Sequence, residues 1–135
     1  EVAEFASVDG NTMVFSAVSN GVKAGVPCII KPAKKVVNPC FAGVTINTAA
    51  PQGVSIDGCT YRGTYVKYAM TYGGTELMLN TRNSLSRPKP APDNVMRGLR
   101  AYFVVPEASV QSARLMLPDN TVTGIADMAT GISLP

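Results

Sequence analysis

Two Asp-Gly pairs, Asp9-Gly10 and Asp57-Gly58, each stand between runs in which apolar and polar residues alternate, and nothing else in the sequence constrains the fold as much. A period of two lays apolar side chains along one face of a strand, and an Asp-Gly pair supplies the positive φ angles of a tight hairpin. The first pair separates residues 2–8 from 13–17, and the second separates Val54-Ser55-Ile56 from a run over 60–70. Tyr72-Gly73-Gly74-Thr75 gives another tight turn, followed by a strand over 76–81 in which Leu77 and Leu79 share a face. Cys28-Ile29-Ile30 is bracketed by Pro27 and Pro32, and prolines that cannot donate to a ladder mark strand ends. Phe41-Ala42-Gly43-Val44-Thr45-Ile46-Asn47 is β-branched and follows the turn initiator Asn38-Pro39, so it too reads as a strand.

The strongest strand text runs over 99–106, with Leu99, Ala101, Phe103 and Val105 on one face and Arg100, Tyr102 and Val104 on the other. Before it, Pro88, Pro90 and Pro92 disallow helix and inner strand, so residues 83–94 form the longest loop. After it come room for one helical turn over 107–111, a strand over 113–117, a turn at Pro118-Asp119-Asn120, and two Thr-Gly-Ile triplets at 123–125 and 130–132. The expected fold is all-β, an antiparallel sandwich or barrel of roughly nine short strands. Leu99, Ala101, Phe103, Val105, Ile29, Val44, Ile46 and Leu117 are expected in its core.

Composition narrows the function classes. With 46% hydrophobic and 16% charged residues the chain is a folding sequence, of a length suited to one domain. No apolar stretch approaches the ~20 residues of a membrane-spanning helix. Histidine is absent, which removes the commonest hydrolase bases and most catalytic zinc designs. The net charge of +3 is mild, and the densest cationic runs, Lys31, Lys34, Lys35 and Arg82, Arg87, Lys89, read as solvated edges, so no nucleic-acid partner is expected. The acids Asp57, Glu76, Asp93, Glu107, Asp119 and Asp127 sit mostly beside turn formers, without the spacing of a glycosidase pair or a cation loop. No metal or cofactor is expected. Cys28, Cys40 and Cys59 are odd in number, so one bridge at most could form; free, buried thiols acting as small hydrophobes are expected.

Two patterns suggest chemistry. Ser86-Arg87-Pro88-Lys89 matches S-x-x-K, but Pro88 and Pro90 prevent the helical turn that would bring amine to hydroxyl, so it reads as coincidence. Tyr61, Tyr65, Tyr68 and Tyr72 fall within twelve residues and form the candidate ligand surface, since aromatic faces stack on sugar rings. The competing reading is cross-strand packing.

Three stretches together carry a family resemblance. Lys23-Ala24-Gly25-Val26-Pro27-Cys28-Ile29-Ile30-Lys31-Pro32, then the text from Phe41 onward through Cys59-Thr60-Tyr61-Arg62-Gly63-Thr64-Tyr65, then Leu99-Arg100-Ala101-Tyr102-Phe103 followed by Thr123-Gly124-Ile125, occur in the order and spacing of a β-rich module. The chain resembles that module of secreted and surface-anchored Bacteroidales proteins, where it often follows leucine-rich or other repeats; Cys28 replaces its usual aromatic. Members are labelled adhesins where labelled at all, and none offers catalytic residues to carry across. The resemblance implies one β domain over 1–126 with a tail over 127–135, other domains of a parent protein as partners, and a glycan or host surface protein as ligand. It also implies an opening strand upstream of Glu1, lying outside this sequence or supplied by another chain. The reading is a secreted or surface, non-enzymatic domain with an adhesive or architectural role; the rival is a carbohydrate-binding module of a glycan-degrading enzyme.

Overall fold

The computed structural model describes residues 1–49 and 53–126; the expected tail over 127–135, with its Thr-Gly-Ile triplet, lies outside the described residues. These hold twelve strands and a single 3-10 turn at Glu107–Ser109. In chain order the strands are β1 (Val2–Asp9), β2 (Thr12–Ala17), β3 (Ile29–Ile30), β4 (Gly53–Ile56), β5 (Cys59–Thr64) and β6 (Tyr68–Ala69). There follow β7 (Glu76–Leu79), β8 (Leu85–Ser86), β9 (Val95–Met96), β10 (Arg100–Val104), β11 (Arg114–Met116) and β12 (Val122–Thr123). The fold is all-β, and the count exceeds nine because several two-residue strands lie in text that reads as loop.

Both Asp-Gly pairs turn hairpins. At the first, Gly10 takes φ 60° as the leading central residue between the paired Asp9 and Thr12. At the second, Asp57 and Gly58 both have positive φ, 48° and 81°, the requirement of a type I′ turn. One five-stranded sheet runs β12-β11-β2-β1-β3 and the other β4-β5-β10-β7-β8. A parallel bridge between Leu85 and Ile125 joins them along one side. Among the described residues, the named strands pair antiparallel except where β11 lies parallel to β2, because the chain crosses from β10 to the opposite sheet through the 3-10 turn and descends beside β2.

The sheets close on one core. Ala3, Phe5, Met13, Phe15 and Leu115 face Cys59, Tyr61, Leu77, Phe103 and Val105, with Leu85 and Ile125 at the joined side. Phe15 meets Tyr61 and Phe103 edge-on at 5.2 and 5.9 Å, and those two rings stack at 4.6 Å. A bulge between Phe5 and Ser7 shifts the register of β1, so that Ala3 and Phe5 point inward before it and Val8 after it. The outer face of β10 is covered as well: β6 and β9 form a two-stranded flap, and Tyr102, stacked on Tyr68 at 4.8 Å, is buried with Met70 and Met96.

Phe103 and Val105 lie in the core as expected, and Ala101, Ile29 and Leu117 pack against it. Three expected core residues do not. Leu99 is 60% exposed and takes φ 57°, so the chain enters β10 through a left-handed residue whose side chain swings out. Val44 and Ile46 are exposed, and no strand forms over 41–47. Gly43, at φ 70°, breaks the extended run, and no sheet edge reaches it. The run over 60–70 splits: β5 ends at Thr64, and Tyr68–Ala69 leaves to build the flap.

Urea titration of Phe103→Ala should therefore show a loss of ~3 to 5 kcal/mol. A left-handed Leu costs ~1 to 2 kcal/mol, so Leu99→Gly should leave stability unchanged or raise it by up to ~1 kcal/mol after the entropy of glycine is subtracted. A loss of ~2 kcal/mol or more in Leu99→Gly would return that residue to the core.

Candidate functional site

Strand direction gives the body two distinct ends. At one, the β1–β2 turn meets the 3-10 crossover: Asn11 Nδ2 donates to Ser112 Oγ at 2.9 Å, and Ser109 Oγ donates to Asn11 Oδ1 at 3.2 Å. Gly58 lies there too, beside Pro106. The opposite end gathers the start of β1, the end of β5 and the start of β10, and it concentrates the features of a binding surface.

There a groove of about 530 Å³ runs between the segment carrying Gly25, Pro27 and Ile30 and the strand ends carrying Tyr65, Leu99 and Arg100. Its outer wall is held in two ways. The Glu1 backbone nitrogen donates to the Lys31 carbonyl at 2.9 Å while the Lys31 amide donates to the Glu1 carbonyl at 2.8 Å. Deeper, the Tyr61 hydroxyl donates to the Cys28 carbonyl at 3.3 Å, and burial pushes that phenol well above its ordinary range. The inner wall is set by Leu99, whose amide donates to the Thr64 carbonyl at 2.9 Å. Gly98 precedes it because a Cβ there would stand 2.5 Å from the Tyr65 carbonyl oxygen.

Residues 31–49 leave this end as an arm in which every residue is exposed. With neighbouring loops it gathers nine of the twelve exposed large apolar side chains of the described residues: Val22, Ile30, Val36, Val37, Phe41, Val44, Ile46, Val66 and Leu99. Phe41 is 76% exposed. Contiguous exposed apolar surface is what interaction sites use, whereas singly scattered apolar side chains need no explanation. Cations outnumber acids there: Lys23, Lys31, Lys34 and Lys35 lie in a stretch with no acid between Asp9 and Asp57, and Lys67, Arg97 and Arg100 lie on the adjoining loops and strand start, against Glu1 and Glu4 on the start of β1. Asp119 approaches Lys31 at 3.8 Å, its carboxyl held below the usual range by hydrogen bonds from Thr121.

The four tyrosines are not brought to one surface. Tyr61 is 4% exposed, inside the core; Tyr68 stacks on Tyr102 and donates to Glu76 Oε1 at 2.5 Å, a bond that raises its phenol well above the ordinary range. Tyr65 lines the groove, and Tyr72, 65% exposed, lines a separate groove with Ser86, Lys89 and Pro90. Ser86 lies in β8 and accepts from Asn80 Nδ2 at 2.6 Å, with no helix joining it to Lys89. Sequence reasoning missed the arm as a surface by assigning its alternation to the core; the signal within reach was Lys31, Lys34 and Lys35 beside text with no compensating acid.

All three thiols are free, but not all are buried. Cys59 is in the core and Cys28 half-buried in the groove wall, both with pKa raised, chiefly by burial; Cys40, on the arm, is exposed, against expectation. Comparisons with protein-family models, curated proteins and solved structures return no match. No helix among the described residues is long and apolar enough to cross a membrane.

This placement sets the order of thiol alkylation. In native protein Cys40 should react first, Cys28 more slowly, and Cys59 only on unfolding, as followed by mass spectrometry of tryptic peptides. Protection of Cys40 in the native monomer would show that the arm is packed against the body.

Proposed function

We propose that this chain is a non-catalytic binding domain, adhesive or architectural, of a protein displayed on or released from a bacterial surface. The observation that carries the reading is the basic, apolar end, where a groove and an exposed arm stand together on a rigid β body. Such a body presents its connecting segments on the surface, where binding residues concentrate. The family resemblance supports the extracellular setting, with other domains of a parent protein as neighbours and a host surface protein or glycan as the ligand.

A specific observation also favours the carbohydrate-binding reading. The exposed ring of Tyr72 borders a groove of about 460 Å³ whose lining includes Ser86, Lys89 and Pro90, a combination of stacking face and polar groups that suits a sugar. It is the weaker reading, because Tyr72 stands apart from the other aromatic side chains and the apolar area lies at the opposite end.

Retention of beads coated with the chain on cultured epithelial cells and on immobilised polysaccharides separates the two. The adhesive reading expects Phe41→Ser/Val44→Ser/Ile46→Ser to cut retention on cells about tenfold or more, with Tyr72→Ala unchanged. Retention on polysaccharide alone, abolished by Tyr72→Ala, would establish the carbohydrate-binding module instead.

A further inference from the structure

Among the described residues the arm is strand text without a strand partner, and the body has strand edges without occupants. Val44-Thr45-Ile46-Asn47 alternates as a half-buried strand does, yet apart from a local turn at Ala42 and Gly43 the backbone of residues 32–49 bonds to no other described part of the chain. An apolar segment with unpaired amides and carbonyls suits strand addition, which satisfies both sets of groups at once. It does not suit insertion into lipid, where unpaired backbone groups are costly.

The edges follow from register. The Val18 amide donates to the Val2 carbonyl, so Val2 and Glu4 direct their backbone groups toward β2, while Glu1 and Ala3 direct theirs toward β3 and Lys31. Because β3 ends there, the outward groups of Phe5 meet no backbone partner among the described residues, nor do those of Val8 beyond the bulge. On β4, the two-residue turn places Ile56 and Val54 in bonded pairs with Cys59 and Tyr61, which turns the groups of Gly53 and Ser55 outward. β1 and β4 approach one another, with no backbone bond between them among the described residues. This seam is where the two sheets come together without joining.

Charge selects what fills it. β1 carries Glu4 and Asp9, β4 runs into Asp57, and neither strand holds a cation, whereas the arm carries Lys34 and Lys35 and no acid. Two arms carry charge of the same sign, whereas arm and seam carry opposite signs. We infer that the arm of one copy adds as a strand to the β1–β4 seam of a second copy, so that the chain assembles head to tail. The two surfaces are different patches of one molecule, which makes the contact heterologous and able to propagate. The inference rests on the architectural reading and names its partner as another copy of the chain.

Sedimentation velocity of the intact chain from micromolar to millimolar concentration tests it. Wild type should shift with concentration to species above the 14.2 kDa monomer, and Val44→Pro/Ile46→Pro, at exposed positions, should remain monomeric. Lys34→Glu/Lys35→Glu and Glu4→Lys/Asp9→Lys should each be monomeric alone and associate when mixed, because each variant keeps the half that the other has lost. Near-ultraviolet circular dichroism confirms that each variant is folded. A wild type that stays monomeric throughout, association indifferent to the proline variants, or folded charge variants that do not recover on mixing would overturn the proposal. So would a monomer whose arm is protected only by added poly-glutamate, since that points to a different acidic chain. Monomeric wild type whose coated beads still adhere overturns the assembly alone; self-association without any retention overturns the adhesive reading alone.

Discussion

The edge-on contact of Phe15 with Tyr61 and Phe103 is what makes one body of two sheets. Phe15 belongs to β2, and its two partners belong to β5 and β10 on the opposing side. Each edge-on pair adds roughly 0.5 to 1.5 kcal/mol beyond the area it buries. Phe5 stacks on Phe15 at 5.6 Å, which links the third inner ring of the cluster to a fourth on β1. No disulfide staples the fold, so closure depends on this packing and on the Leu85–Ile125 bridge. Once Tyr61 is locked into the cluster its hydroxyl reaches only outward, to Cys28, and fixes the wall of the groove. Core and groove thus share a residue.

That arrangement explains why the apolar surface is uneven. The aromatic cluster and the flap cover β10 on both faces, so the body is complete without the arm. Residues 31–49 add apolar side chains that the core has no place for, and they leave from the end where the cations gather. Exposed valine, isoleucine and phenylalanine cost little to an isolated chain in dilute solution. They are an expense with a use only where another surface covers them.

Much of the fold is legible in the sequence because it rests on local signals. The chain turns at Asp9-Gly10 and Asp57-Gly58 where the positive φ angles of Gly10, Asp57 and Gly58 dictate, and Phe103 and Val105 point inward by simple alternation. What fails is whatever needs knowledge of a partner strand. Val44 and Ile46 alternate as well as any core pair, but burial requires an edge that reaches them, and Gly43 turns the chain away first. Leu99 fits the pattern of its own strand and is excluded by a single left-handed φ. The tyrosines illustrate the same limit: sequence proximity places Tyr61 and Tyr72 eleven residues apart, and the topology sends one to the core and the other to a separate groove. The S-x-x-K match dissolves for a local reason, the prolines, and so was readable from the start.

Native-state hydrogen exchange on a dilute, monomeric sample is the most direct test of a closed aromatic body with an unpaired arm. The hydrogen-bonded amides of β2, β5 and β10 should exchange with one common free energy, equal to that of global unfolding, because the Phe15 contacts make the sheets open together. The amides of residues 33–47 should exchange close to the rates of an unfolded peptide. Separate free energies for β2 and β10, or protected amides along the arm, would contradict the account.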